Sequence, residues 1–249
     1  MIDWLFKNKI QENKGAVTMI KYQHIERFGT NEVEGIENGE CYIFSKLDGT
    51  NGSIWRSGET LFSGSRNKEL EIENDNHGFF KWVSIQENIK NFFLKYPKVI
   101  LYGEWLVTHT VKTYRDTALS KFYVFDVMEN YKYMPYEIYT EMLDEFKIDY
   151  IPVMCKINNP TQEKLIELLQ KNFYLIKDGE GIGEGLVIKN YNYINKFGRA
   201  TWAKIVANEF KEKHLRNKMF GIAEIKCKED IETKIINKYI TQSFVEKEL

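Results

Sequence analysis

Four short apolar runs, each rich in β-branched or aromatic residues, carry a charged residue at or near one end. Tyr42-Ile43-Phe44 leads into Lys46, and Val99 to Trp105 holds Glu104. Leu186 to Ile188 lies between Glu184 and Lys189, and Trp202-Ala203-Lys204-Ile205-Val206 has a lysine inside it. Runs of this length and composition read as buried strands. A charge at the end of such a strand stands on a rigid element, where a binding or reacting group is best held. Phe122 to Met128 is a further run of the same kind. Between these runs lie stretches of helical period, without strict strand–helix alternation. That mixture predicts an α+β fold rather than a doubly wound parallel sheet.

The intervening elements follow from local pattern. The stretch from Tyr42 to Arg66 reads as strands. Ser53 to Arg56 and Glu59 to Phe62 form a hairpin about Ser57-Gly58. Trp82, Ile85, Ile89, Phe92 and Tyr96 recur at spacings of three and four, which predicts one amphipathic helix ended by Pro97. Pro135 opens a helix through Phe146 at a position where a missing N–H costs little. Asn159-Pro160 starts another, carrying Leu165, Ile166, Leu168 and Leu169. Asp230 to Glu248 reads as a terminal helix. No internal repeat or low-complexity linker divides the chain.

Composition removes several function classes. With 43% hydrophobic and 14% aromatic residues in 249, a substantial core can form. No apolar run approaches the roughly 20 residues that span a bilayer, and Met1 to Phe6 lacks a signal-peptide pattern. The three cysteines, Cys41, Cys155 and Cys227, show neither metal spacing nor a disulfide framework, which suits a reducing cytoplasm. The formal net charge is −1, so contact with nucleic acid must rest on a local basic patch. His24, His77, His109 and His214 have no mutual spacing and read as surface or structural residues. Gly179 to Gly185 precedes a strand, not a helix, and is no dinucleotide fingerprint.

The segment Lys46-Leu47-Asp48-Gly49-Thr50-Asn51-Gly52 sets a lysine, an acid and a glycine turn after a strand. An amine attacks only when neutral, and at the ordinary lysine pKa of about 10.4 roughly one in ~2,500 is neutral at pH 7. A site that lowers this by ~3 supplies roughly 4 kcal/mol toward the reactive form. Neighbouring cations or a bound metal act in that direction, and Lys189 and Lys204 are the candidate cations. Taken alone, Lys46 is as well read as a solvated strand-end lysine, and Asp48-Gly49 as a common turn. The acids Glu104 and Glu184 either bind a hydroxyl or a metal, or cap a sheet edge.

Taken together and in order, these segments resemble the covalent nucleotidyltransferases: ATP-dependent RNA and DNA ligases and mRNA capping enzymes. The pattern is Lys-x-x-Gly, then Gly103-Glu104, then Phe125-Asp126, then Glu184-Gly185-Leu186-Val187-Ile188-Lys189, then a lysine-bearing strand. Gly49-Thr50-Asn51 is similar to the branch that seals nicks in duplex RNA, known from bacteriophages, some bacteria and trypanosome RNA editing. DNA ligases and capping enzymes typically carry arginine where Asn51 stands. The resemblance takes in the lead segment Lys21 to Glu26 and runs to about Lys213. It implies a nucleotidyltransferase (adenylation) fold of antiparallel sheets with flanking helices. It implies that Lys46 attacks the α-phosphorus of ATP and becomes lysyl–AMP. By the same resemblance, Asn51 and Arg66 position phosphates and RNA ends, Glu104 binds a ribose hydroxyl, and Phe125 stacks on adenine. Glu184 is linked to a divalent metal, Mg2+ or Mn2+, and Lys189 and Lys204 stand near the α-phosphate.

Three features depart from that pattern. Val206 occupies the place of a second lysine in the last motif, and Lys211 or Lys213 is the candidate substitute. Asp48 stands where the closest RNA ligases can have histidine and DNA ligases have aspartate. About 36 residues follow Lys213, too few for a further β-barrel domain of on the order of 70 residues. The expected organisation is an adenylation domain over 1–215 and a short helical extension over 216–249, with Lys211, Lys213, Arg216 and Lys218 as a basic patch. The expected activity is an ATP-dependent RNA ligase joining 5′-phosphate and 3′-hydroxyl ends in the cytoplasm, a phage-infected host's included. Its substrates are nicked duplexes or broken RNA, with a protein partner as the alternative to a minimal ligase. The rival readings are a DNA ligase and a non-catalytic nucleotide- or RNA-end-binding module on the same fold.

Overall fold

Ten strands and four α-helices are present among the described residues, 19–207, of the computed structural model. In chain order they are β1 (Glu26–Arg27), β2 (Glu40–Lys46), β3 (Thr50–Ser57), β4 (Thr60–Ser65), α1 (Phe79–Ile85), α2 (Glu87–Lys95) and β5 (Val99–Leu106). Then come β6 (Lys121–Glu129), β7 (Lys132–Tyr133), α3 (Tyr136–Glu145), β8 (Val153–Asn158), α4 (Gln162–Gln170), β9 (Gly185–Lys189) and β10 (Ala203–Val206). The chain divides into two units, Met1–Ile205 and Val206–Leu249, and the description below is of the first. The expected helix from Asp230, the basic patch around Lys211 to Lys218 and the boundary at 215 lie outside the described residues.

The strands form two five-stranded sheets, ordered β1-β10-β9-β2-β8 and β4-β3-β5-β6-β7. The β1–β10 pair is parallel, whereas β2–β8, β2–β9, β3–β4, β3–β5, β5–β6 and β6–β7 are antiparallel. The fold is α+β, as the mixed pattern predicts. β2 and β3 are consecutive but belong to different sheets, so Leu47-Asp48-Gly49 carries the chain from one sheet to the other.

One core cluster joins residues of both sheets, with Tyr42, Phe44, Val187 and, just before β10, Trp202 from the first and Trp55, Ile100, Tyr102 and Tyr123 from the second. The other lies on the far side of the second sheet. There Ile54, Leu101, Trp105, Phe122 and Val124 meet Phe79, Val83, Phe92, Tyr139 and Leu143 of α1, α2 and α3. The second sheet is therefore buried on both faces, which explains why β5 and β6 read as continuous apolar runs rather than alternating ones.

Three local expectations are corrected. The hairpin turn is Gly58-Glu59, with Ser57 still in β3 and Gly58 at φ 59°, a conformation glycine adopts freely. The single helix expected from Trp82 to Tyr96 is broken at Gln86, whose extended backbone (φ −82°, ψ 100°) separates α1 from α2. Ile85, counted in the apolar stripe, is exposed, because the two segments bury different faces. The helix expected from Asn159-Pro160 begins at Gln162, where Thr161 accepts the Lys164 N–H at 3.3 Å as an N-cap.

Candidate active site

β2 and β9 pair antiparallel with Lys46 opposite Gly185, so the end of one strand meets the start of the other. That register sets Lys46 beside Glu184, and Lys46 Nζ lies 2.5 Å from Glu184 Oε2. In the facing sheet, Asn51 of β3 stands opposite Glu104 of β5. Beside β9, β10 carries Lys204, paired in register with Arg27 of β1. Arg66 follows the end of β4.

These positions enclose one cavity of about 360 Å3 between the sheets. Its lining includes all eight residues singled out in the sequence: Lys46, Asn51, Arg66, Glu104, Phe125, Glu184, Lys189 and Lys204. Four come from, or adjoin, each sheet. The crossover Leu47-Asp48-Gly49 lines the same cavity.

The turn itself is held from the second sheet. Gly49 N–H donates to Glu104 Oε1 at 2.9 Å. A Cβ at Gly49 would collide with the Trp105 carbonyl oxygen and lie 3.0 Å from Leu106 Cα, so only glycine fits where the crossover passes β5. Asp48 faces another way. Its carboxylate accepts the Val111 N–H at 2.5 Å and lies 3.0 Å from His109 Nδ1, and its own N–H donates to the Tyr114 hydroxyl at 2.9 Å. Asp48 thus fastens the 107–115 loop over the site, which brings His109 to the cavity wall. Sequence reading gave His109 a surface or structural role, and its ring is exposed; nothing in its spacing signals Asp48, because the contact spans 61 positions.

The charges in the cavity oppose one another. Burial pushes the Glu104 carboxyl up to about 7, against the pull of Lys46 and of the Gly49 N–H, with Glu184 and Asp48 adding to the rise. Burial likewise raises Glu184, while Lys46 and Lys204 draw it down. Burial lowers Lys204, and repulsion from Lys46, Arg66 and Arg27 lowers it further. Cations set close enough to repel each other are the arrangement that a polyanion relieves.

Lys189 differs from Lys204. It is 2% exposed, its Nζ lies 2.7 Å from Asp126 Oδ1, and it donates to the Phe125 carbonyl at 2.5 Å. Asp126, fully buried, accepts at Oδ2 from the Tyr22 hydroxyl and from Trp202 Nε1 at 3.2 Å. Asp126 and Tyr22 were not singled out by chemistry in the sequence, although both fall in segments that carry the resemblance.

Among the described residues no group of three or more His, Cys, Asp or Glu side chains is disposed to hold a metal ion. The Glu184 carboxylate nonetheless raises the proton affinity of Glu104 in the same cavity. A small divalent cation usually takes one or two protein carboxylates and completes its shell with water and substrate phosphates, and that donor set fits here.

The profile of the RNA ligase family matches residues 39–206. No curated protein matches the chain. Among solved structures, a mutant Naegleria gruberi RNA ligase with AMP and Mn aligns with a TM-score of 0.59 at 19% identity, over 80% of this chain and 60% of that one. A second mutant, with ATP and Mn, gives the same values. The Naegleria gruberi RNA ligase with PPi aligns with a TM-score of 0.56 at 19% identity, over 81% and 60%. The chain spans about 60% of the length of these structures, and the likeness shows a shared nucleotidyltransferase fold. With the family profile matching residues 39–206 of 249, the chain belongs to the RNA ligase family.

Proposed function

We propose that this chain is an ATP-dependent RNA ligase working through a covalent lysyl–AMP on Lys46. The observation that carries the reading is the Lys46 amine, at a strand end, sharing one cavity with three further cations, Arg66, Lys189 and Lys204, and with the two half-buried carboxylates of Glu104 and Glu184. The Lys46 nitrogen forms a bond to the α-phosphorus of ATP as the bond to pyrophosphate breaks. The amine must first lose its proton, and Glu184, 2.5 Å away, is the nearest acceptor. Burial raises that carboxyl's proton affinity and makes it a better base than a free carboxylate. Lys204 and Arg66 offset negative charge as pyrophosphate leaves. Glu104 hydrogen-bonds a ribose hydroxyl, Phe125 stacks on adenine, and Asn51 helps to place the phosphates. When bound, a divalent cation would be held by Glu184 and by substrate phosphates, and would supply charge neutralisation at the phosphorus.

The AMP then passes to an RNA 5′-phosphate, making a 5′-to-5′ pyrophosphate linkage, and a 3′-hydroxyl attacks it, releasing AMP. On this reading residues 1–215 carry nucleotidyl transfer. Residues 216–249 contribute to docking RNA, alone or with a protein partner.

Intact mass measured after incubation with ATP and Mg2+ or Mn2+ tests the chemistry. The wild type gains one adenylate and Lys46→Ala gains none; a wild type with no adduct under either metal overturns the proposal. Sealing of nicked duplexes with RNA or DNA 3′-hydroxyl strands tests the substrate, and equal sealing of all-DNA nicks counts against RNA specificity.

A further inference from the structure

Phe125 lies at an irregularity in β6. Tyr102 pairs with Asp126, but the next residue of β5, Gly103, pairs with Val124, so Phe125 has no opposite number. Such a bulge inserts one residue and shifts the side-chain alternation by one. The core records the shift. Phe122 and Val124 face the helices, and after the bulge it is Val127 that does so. Tyr123 faces the other sheet, and after the bulge Met128 does. β5 keeps its parity throughout, with Leu101 and Trp105 toward the helices and Ile100, Tyr102 and Leu106 toward the facing sheet. Two successive residues, Phe125 and Asp126, therefore both turn toward the space between the sheets, Phe125 to line the cavity and Asp126 to lie beneath it.

A bulge takes a residue out of the ladder, and its carbonyl needs a donor from elsewhere. The Phe125 carbonyl accepts from Lys189 Nζ at 2.5 Å and from the Tyr139 hydroxyl at 3.3 Å. The Lys189 ammonium has three protons. One goes to that carbonyl; the nitrogen also forms an ion pair with Asp126 Oδ1 at 2.7 Å and lies 4.9 Å from the centre of the Phe44 ring and 5.7 Å from that of Trp202. Lys189 touches the cavity wall with a side chain only 2% exposed, its ammonium engaged with the β6 bulge. Asp126 is in turn fixed by Tyr22 and Trp202, and the Tyr22 ring lies 4.8 Å from that of Phe125.

We infer that Lys189 is a positioning residue that acts through Phe125: with Asp126 and Tyr22 it holds the β6 bulge that presents the Phe125 ring to the nucleotide base, and it makes no contact with the phosphates. This rests on the adenylate reading of the cavity. It departs from the role near the α-phosphate that the sequence resemblance implies for Lys189.

Equilibrium binding of ATP and, separately, of inorganic tripolyphosphate to wild type, Lys189→Met, Phe125→Ala and the double variant tests the inference. Lys189→Met weakens ATP binding by about ten-fold or more, since misplacement of a binding group by about 1 Å can cost that much, and leaves tripolyphosphate binding within two-fold. In the Phe125→Ala background the same change weakens ATP binding less than two-fold further, because the two act as one unit. Equal weakening of ATP and tripolyphosphate, or fully multiplicative losses in the double variant, overturns the inference. If burying an unpaired Asp126 unfolds Lys189→Met, as circular dichroism would reveal, Lys189→Met with Asp126→Asn removes both charges and carries the same comparison. A wild type that binds ATP yet forms no adduct overturns the transfer chemistry and leaves the Lys189 result readable; one that binds no ATP overturns both.

Discussion

Glu104 accepts the Gly49 N–H of the crossover while sharing its cavity with Glu184 and Lys46. Burial raises its carboxyl to about 7, from an ordinary value of about 4.3. Between those values the folded protein keeps a proton that the unfolded chain releases, so stability falls as pH rises through the window. Glu104→Gln has nothing to ionise there. Its thermal midpoint should exceed that of the wild type at pH 8, by on the order of 1–3 kcal/mol of stability, and the gap should close toward pH 4. A gap that stays constant with pH would show that the carboxyl carries no such strain.

At the scale of elements, the crossover from β2 to β3 places the Lys46 amine. Lys46 ends one sheet, Asn51 begins the other, and the turn between them passes so close to β5 that Gly49 has no room for a Cβ. Gly49→Ala must push the turn away from the Trp105 carbonyl, and overpacking of this kind costs about 1–3 kcal/mol. The expected result is a lower thermal midpoint together with slower adenylate formation, since the Gly49–Glu104 bond lengthens at the same time. Loss of stability with full adenylylation would separate the turn from the site. The interruption of the expected helix at Gln86 and the bulge at Phe125 belong to this scale too. Both leave the apolar pattern of the sequence intact, because a kink or an inserted residue changes which face is buried without changing which residues are apolar.

At the scale of the whole first unit, the cavity is a seam between two sheets, with four of its eight chemical residues from or beside each. A nucleotide that touches Lys46, Glu184 and Lys204 on one side and Glu104 and Phe125 on the other ties the sheets together. Saturating ATP should therefore raise the thermal midpoint of Lys46→Ala, which cannot react, by several degrees. A ligand at 100 times its Kd adds about 2.7 kcal/mol. Inorganic pyrophosphate, reaching only the cation-rich side, should raise it less. Equal shifts from the two ligands in a thermal melt would mean that the base and ribose side contributes nothing.

The chemistry-bearing residues were legible because strand ends and glycine turns are local events: a short apolar run followed by Lys-x-Asp-Gly, or opened by Glu-Gly, is written in neighbouring positions. Membership of one cavity was legible only through the order of those segments. What stayed hidden depends on distant partners. Asp48 looked like half of a common turn, yet it holds a loop some 60 positions away. Lys189 and Lys204 are alike in sequence, each a lysine in a β-rich run, but one is sealed against Asp126 and the other lies among cations in the cavity. The sequence by itself determined which side chains stand at the ends of which strands, since that follows from period and turn. Only the tertiary structure decided which of those charges face the cavity and which hold the frame, because that depends on cross-sheet register, a one-residue bulge and the loss of solvent.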